Sequence, residues 1–194
     1  MPEFIRLVPE GDNRERDVCA DCGHIAYANP KIVVGSVVVA DDGQILLCRR
    51  AIEPRYGFWT LPAGYMELGE TLEEGARREA FEEALARIEI DGILSIFSIS
   101  RIGQVQVMFR ARLAANGAGP LFGVGEESLE VALFAWDRIP WNELAFPTVR
   151  WALDAYKALN GGGLGAPSGN PAEDPRGVSR SAMQARSLPA GEIR

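Results

Sequence analysis

The chain reads as an α/β fold on three observations. A β-branched run, Ile32 to Ala40, is followed by the turn signal Asp41-Asp42-Gly43 and a return segment from Gln44 to Cys48. β-Branched residues suit a pleated, half-buried surface, and Asp-Gly pairs suit tight hairpins. A stretch opening at Thr71 carries a helix-start signature, and a second helix opens at Pro147 and runs to about Leu159. Between the helices lie further strand-like runs, 88–100, 104–113 and 131–136. Strands interleaved with two helices give the α/β class.

Taken in order, residues 1–30 read as a polar, irregular N-terminal segment. It contains one C-x2-C knuckle, Cys19-Ala20-Asp21-Cys22, followed by His24. A structural zinc site needs four ligands. One knuckle plus one histidine falls short, so zinc is not expected, and the segment reads as a lead-in that packs on the domain or on a partner subunit. The hairpin of residues 32–48 ends at Arg49 and Arg50. Two readings stay open for this pair: a solvated strand end, or a contact to an anionic substrate through bidentate guanidinium bonds. A loop from Pro54 to Phe58 and then Trp59-Thr60-Leu61 lead to the next segment. After the first helix, residues 114–125 read as a Gly/Ala-rich loop, and Glu126 to Glu130 precede the last strand. Pro147 is tolerated in the first turn of its helix. From Gly161 the composition turns rich in glycine and proline with almost no apolar periodicity, so residues 161–194 are expected to be a disordered tail.

The 194 residues suffice for one domain with extensions, and the hydrophobic share of 47% is ordinary for a globular chain. No run approaches the roughly 18 apolar residues of a membrane span. No apolar signal core stands at the N-terminus, and three cysteines suit a reducing compartment, so a cytoplasmic location without membrane partners is expected. The net charge of −7 argues against nucleic-acid binding through phosphate neutralisation, yet leaves room for a small phosphorylated ligand with a cation between. His24 is the one histidine, so the chemistry should run on carboxylates and metal.

The richest stretch is Gly64 to Ala86, GYMELGETLEEGARREAFEEALA. Thr71 and Glu74 form a capping-box pattern, and Glu70, Glu73 and Glu74 suit the positive helix N-terminus. Ala76, Ala80 and Ala84 form a small-residue row for close packing on a sheet. Glu79, Glu82 and Glu83 share one helical face. Like charges at this spacing cost an isolated helix a few tenths of a kcal/mol per pair, roughly. A cation would offset that cost, and Mg²⁺ prefers oxygen ligands of this kind. A solvated acidic face is the plain alternative.

Gly64, Glu70, Arg78, Glu79, Glu82 and Glu83 fall at the spacing of the Nudix box, and the chain therefore resembles a Nudix hydrolase. Departures are Ala80 at an aliphatic position, Leu85 where the family has glycine, and Ala86 at the last aliphatic position. The resemblance implies a Nudix domain over residues 31–160, a mixed sheet sandwiched between helices with the box as loop-helix-loop. It implies that Glu79, Glu82 and Glu83 are catalytic metal ligands for Mg²⁺ (or Mn²⁺), with the Gly64 carbonyl as a further ligand. Arg78 would orient the glutamates by pairing with Glu70. A general base would come from a later loop, where Glu127 and Glu130 stand; an acidic hairpin end is the alternative for each. Residues 1–30 resemble a zinc-ribbon lead-in truncated to its second knuckle. Runs such as AYANPKIVVGSVV, LLCRR and GFWTLPAGYMELGE resemble the ADP-ribose and FAD pyrophosphatase branch. The implied partner is a nucleoside-diphosphate small molecule, with Arg49, Arg50, Arg78 and Tyr65 as substrate contacts. Tyr27, Phe58, Trp59 and Tyr65 are candidates for base stacking. An NADH or other dinucleotide diphosphatase is the nearest alternative, and a catalytically silent nucleotide sensor is the alternative of another class. A homodimer is compatible with the resemblance.

Overall fold

A computed structural model describes residues 2–114 and 121–172 of the chain, in two compact units divided between Pro30 and Lys31. The first unit is a three-stranded antiparallel sheet rather than an irregular segment: β1 (Phe4–Leu7), β2 (Arg16–Cys19) and β3 (Ile25–Ala26), in that order. Its strands, two to four residues long, are too short to show a period in sequence. Local bonds hold it. Asp12 accepts from the Asn13 N–H at 2.7 Å and from Arg16 Nε at 2.8 Å, and the Arg16 guanidinium stands 5.2 Å from the Tyr27 ring centroid. Cys19 is buried, whereas Cys22 and His24 are exposed.

The second unit is built on a mixed sheet. Its strands are β4 (Lys31–Val39), β5 (Ile45–Arg50), β6 (Trp59–Thr60), β7 (Ala63–Tyr65), β8 (Ile88–Ile99), β9 (Gln104–Leu113) and β10 (Ser128–Phe134). The main order is β10-β5-β4-β9-β8, with β6 paired to β5 and β7 to β4. Among the named strands of the described residues, only the β4–β9 pairing is parallel. The expected strands stand within a few residues of their places. β10 begins at Ser128 rather than Val131, because Ser128 and Glu130 pair with Arg50 and Arg49. The short β6 and β7 lie where the sequence offers only a turn-rich entry.

Helices α1 (Leu72–Ala84) and α2 (Pro147–Ala158) cover opposite faces. The strand period of two divides the apolar residues between them. Val38, Leu46 and Phe109 meet the α1 side with Ala76, Ala80 and Ala84, while Val37, Leu47 and Met108 meet the α2 side with Val149, Ala152 and Leu153. The alanine row thus brings α1 down onto β4 and β7. The capping box closes as the sequence predicts: Thr71 Oγ1 accepts from the Glu74 N–H at 3.2 Å, and Glu74 Oε2 from the Thr71 N–H at 2.7 Å. Leu85, standing where the family has glycine, takes the left-handed conformation at φ 48° and ψ 24°. The helix therefore ends as it would with glycine, at some cost in backbone strain.

The expected tail 161–194 needs correction in its first part. Ser168 pairs along the free edge of β8, accepting from the Ile96 N–H at 2.9 Å and donating its N–H to the Leu94 carbonyl at 3.0 Å. Asn170 Oδ1 and Nδ2 bond the Ser98 N–H and carbonyl at 2.8 and 2.9 Å. An edge strand offers unpaired backbone groups, and residues 161–172 meet them without any hydrophobic period of their own. Residues 173–194, and 115–120 of the expected loop, lie outside the described residues.

Candidate active site

Helix α1 presents its acidic face to β7. Glu79 and Glu83 are buried, at 7% and 5% exposure, while Glu82 is exposed. Packing explains the difference: Glu79 and Glu83 are one turn apart on the side where Ala76, Ala80 and Ala84 seat the helix. Gly64 of β7 lies so close that a Cβ there would overlap the Glu79 carboxylate. A side chain at position 64 would therefore displace the Glu79 carboxylate from where it stands.

Arg78 gathers the acidic groups. Its Nε and Nη2 donate to the two Glu70 oxygens at 3.0 and 2.8 Å. Nη1 donates to Glu79 Oε1 at 2.7 Å and Glu82 Oε2 at 3.0 Å, and Nη2 also reaches the Tyr65 carbonyl at 3.0 Å. The Arg78–Glu70 pairing expected from the resemblance is a fork of two charge-assisted bonds. Those bonds, with a further one from the Glu67 N–H, pull the Glu70 carboxyl down to about 2.

Glu83 has no comparable partner. Its Oε2 accepts from the Ala63 N–H at 3.3 Å. Burial, and then the charge of Glu79, push its carboxyl up to about 8. Burial also raises Glu79, against the opposing pull of Arg78.

Among the described residues no group of three or more His, Cys, Asp or Glu side chains stands arranged around a common point as a metal cluster. Arg78 bonds Glu79 and Glu82, while Glu83 accepts from the Ala63 N–H of β7. The donor set nevertheless suits a hard divalent cation. It offers several carboxylates within one helical face, two of them buried, beside the backbone of Gly64, which carries no Cβ to hold it away. In the N-terminal unit the residues do not suit zinc: Cys19, Cys22 and His24 are three candidate ligands, and the remaining cysteine, Cys48, is buried in the other unit.

The acidic face opens onto a cavity of about 1100 Å³. Arg50, Tyr65, Glu126 and Glu127 line it, together with Gln104 and Gln106. The loop bearing Glu126 and Glu127 is tied to the end of α1. The Gly123 and Gly125 N–H groups donate to the Ala84 and Glu83 carbonyls at 2.7 and 3.1 Å, filling acceptors that a helix end leaves open. A Cβ at Gly125 would overlap the Glu82 carbonyl. The charge of Glu127 reaches Glu79 and Glu83, and that of Arg50 reaches Glu83.

Of the residues singled out in sequence, Glu79, Glu82, Glu83, Glu127, Arg50, Arg78, Tyr65 and Gly64 come together here. Glu130 and Arg49 do not line the cavity. They face each other across the β5–β10 pairing with Arg49 Nη1 3.6 Å from Glu130 Oε2, and Arg49 Nε donates to the Gly57 carbonyl. Of the stacking candidates, Trp59 is buried against Phe134, Phe58 lies beside Arg55, and Tyr27 belongs to the N-terminal unit. Glu126, Gln104, Gln106, Phe146 and Trp151 were missed. The alternation Gln104-Val105-Gln106-Val107-Met108 marks one face of a strand, but not which side the cavity takes.

Comparison with known proteins agrees with this geometry. The NUDIX domain family model matches residues 29–154, and the zinc-ribbon model described as Nudix N-terminal matches residues 3–28. The crystal structure of a NUDIX hydrolase from Nitrosomonas europaea is 43% identical, covers 87% of this chain and 92% of its own, and superposes with a TM-score of 0.77. The NAD-capped RNA hydrolase NudC of Edwardsiella ictaluri is 34% identical over 125 residues, covering 63% of this chain and 46% of its own. The ADP-ribose pyrophosphatase of Methanocaldococcus jannaschii is 27% identical over 135 residues, covering 70% and 78%. The chain spans less than two thirds of two curated relatives, 62% of one and 46% of the other. Among the described residues no helix is long and apolar enough to cross a membrane. With the box residues brought together at α1 and β7, and the family model matching well over half its length, the chain belongs to the Nudix hydrolase family.

Proposed function

We propose that this chain is a Mg²⁺-dependent pyrophosphohydrolase. It splits a nucleoside diphosphate joined to another group, with ADP-ribose or FAD favoured, into AMP and a phosphorylated product. The observation that carries this reading is the pair of buried carboxylates, Glu79 and Glu83, beneath a large cavity that also receives Arg50 and Glu127. Arg78 answers Glu79, whereas buried Glu83 has only the Ala63 N–H, and ionising a buried acid is costly unless a cation answers it. Glu79, Glu82 and Glu83 would hold the ion, with the Gly64 carbonyl as a further donor. When bound, it would screen the diphosphate and acidify a water.

The chain's own groups supply the rest. Arg50 keeps its guanidinium at the cavity by donating Nε to the Pro54 carbonyl at 3.0 Å, and the Phe146 ring supports it 5.2 Å away. That leaves its two terminal nitrogens for a phosphate. Arg78 holds Glu70, Glu79 and Glu82 in place. Glu127 is suited to take the proton from the attacking water as its oxygen bonds to phosphorus and the bridging P–O bond breaks. Its exposed position on the cavity wall lets a water reach it.

Likeness to an ADP-ribose pyrophosphatase supports the favoured substrate, and likeness to NudC favours a second reading, cleavage of a nicotinamide dinucleotide. Incubation with Mg²⁺ and ADP-ribose, FAD or NADH separates them. The expected result is AMP released fastest from ADP-ribose or FAD, abolished by a chelator and strongly slowed in Glu127→Gln. Fastest release from NADH would favour the second reading. Binding without AMP from any of the three would make the domain a sensor and refute hydrolysis.

A further inference from the structure

The cavity holds a set of groups that phosphoanhydride cleavage does not use. Alternate residues of β9, Gln104, Gln106 and Met108, turn the same way into it, beside Val33 of β4 and Ile99 of β8. Phe146 and Trp151, at the start of α2, supply aromatic carbon to the wall. The amides are ordered among themselves. Gln106 Nε2 donates to Gln104 Oε1 at 3.2 Å, and Gln104 Nε2 donates to Tyr65 Oη at 2.8 Å.

This relay fixes which groups remain free. Gln104 spends its oxygen and one N–H on its neighbours and keeps the other N–H, whereas Gln106 keeps its carbonyl oxygen and one N–H, and Tyr65 keeps its hydroxyl proton. A neutral acceptor and neutral donors therefore stand in a row, bordered by aliphatic and aromatic carbon. The cations that line the cavity, Arg50 and Arg78, are committed to the carboxylate side: Arg50 acts on Glu83, and Arg78 binds Glu70, Glu79 and Glu82. Lys31 stays off the lining, with Nζ 5.1 Å from the Tyr65 ring centroid. Apart from Lys31 at the Tyr65 end, a second phosphate would find no charge along the amide row, and a bare sugar would find too few partners for its hydroxyls. A planar heterocycle with exocyclic amino or carbonyl groups matches both its edge and its faces.

We propose that the Gln104–Gln106 row, ending at Tyr65, is the specificity-determining surface for the heteroaromatic base of the substrate. This rests on the reading of the acidic face as the phosphate site. The row then selects by hydrogen bonding, the mode that discriminates most strongly, because a wrong base leaves half-buried polar groups unpaired.

Side-chain amide and indole NMR signals test the assignment without any turnover. The Mg²⁺-loaded full chain is titrated with AMP, GMP, CMP and ribose 5-phosphate, and Trp151→Phe identifies the Trp151 indole signal. The expected result is that at least one nucleotide shifts the Gln104 and Gln106 amides and the Trp151 indole, while ribose 5-phosphate leaves them still. Gln106→Leu should weaken that nucleotide about tenfold, the loss of roughly one hydrogen bond to a half-buried group, with ribose 5-phosphate unaffected. Equal shifts from ribose 5-phosphate, or nucleotides that leave the row unmoved, would overturn the assignment while leaving hydrolysis intact. A row that responds to nucleotides in a chain that releases no AMP from ADP-ribose, FAD or NADH would uphold the base surface and refute the hydrolase.

Discussion

Glu83→Gln should cut turnover by roughly 10²–10³-fold or more, the usual loss when one electrostatic stabiliser of a transition state is removed, while making the metal-free protein more stable at pH 8. The two effects share one cause. Burial, then the charge of Glu79, raises the Glu83 carboxyl from 4.5 to about 8. Between those values the folded chain holds a proton that the unfolded chain has released. The stability of the metal-free protein must therefore fall as pH rises from about 4.5 to about 8, and level off above. At about 1.4 kcal/mol per unit, the loss across the window is on the order of a few kcal/mol. Glutamine has no proton to lose, so the variant should lack this slope. Urea melts of both proteins at pH 5 and pH 8 check it: convergence at pH 5 and a more stable variant at pH 8 are expected. Parallel pH profiles would mean that Glu83 is not buried as a lone acid. Since the ion needs the carboxylate, Mg²⁺ binding below pH 8 should release a proton and tighten as pH rises.

Arg78→Ala should destabilise the fold by about 3–5 kcal/mol, because it leaves buried Glu79 without its cation. The same change frees Glu70 and Glu82 and removes a bond to the Tyr65 carbonyl. Turnover should fall with it as the acidic groups lose their positions. Arg78→Lys keeps the charge but cannot make the fork to Glu70, so an intermediate loss is expected. Mg²⁺ should restore part of the stability of the alanine variant, since an ion on Glu79 and Glu82 replaces the missing positive charge. Thermal melts with and without Mg²⁺ measure this. A loss under about 1 kcal/mol, typical of a surface pair, would show that Arg78 is not the organiser of this face.

Much of this site is legible in the chain because its parts are local in sequence. The capping box, the alanine row and the three glutamates all lie within one helix, where spacing translates directly into position. Leu85 shows the limit of motif reading: the family glycine is gone, yet the left-handed turn that glycine favours persists. Glu127 and Glu130 show a second limit. Three residues apart in one loop-strand segment, they end in different places, because the β10 register shifts between Ser128 and Glu130 and carries Glu130 to Arg49. The amide row was hidden for a related reason. Gln104 and Gln106 alternate like any strand face, and only the sheet order decides that their side meets the cavity. The strands of the N-terminal unit and the run of residues 161–172 along β8 rest on backbone pairing, which leaves little trace in side-chain pattern.

In the proposed function, the face formed by Glu79, Glu82 and Glu83 captures a divalent ion. Titration of the metal-free chain with Mn²⁺, followed by the electron paramagnetic resonance signal of the free ion, measures that capture directly. The account expects the wild-type chain to quench the free signal, Mg²⁺ to restore it by competition, and the Glu79→Gln/Glu83→Gln double variant to leave it unquenched. Equal quenching by the wild-type chain and a folded double variant would place the ion elsewhere and contradict the account.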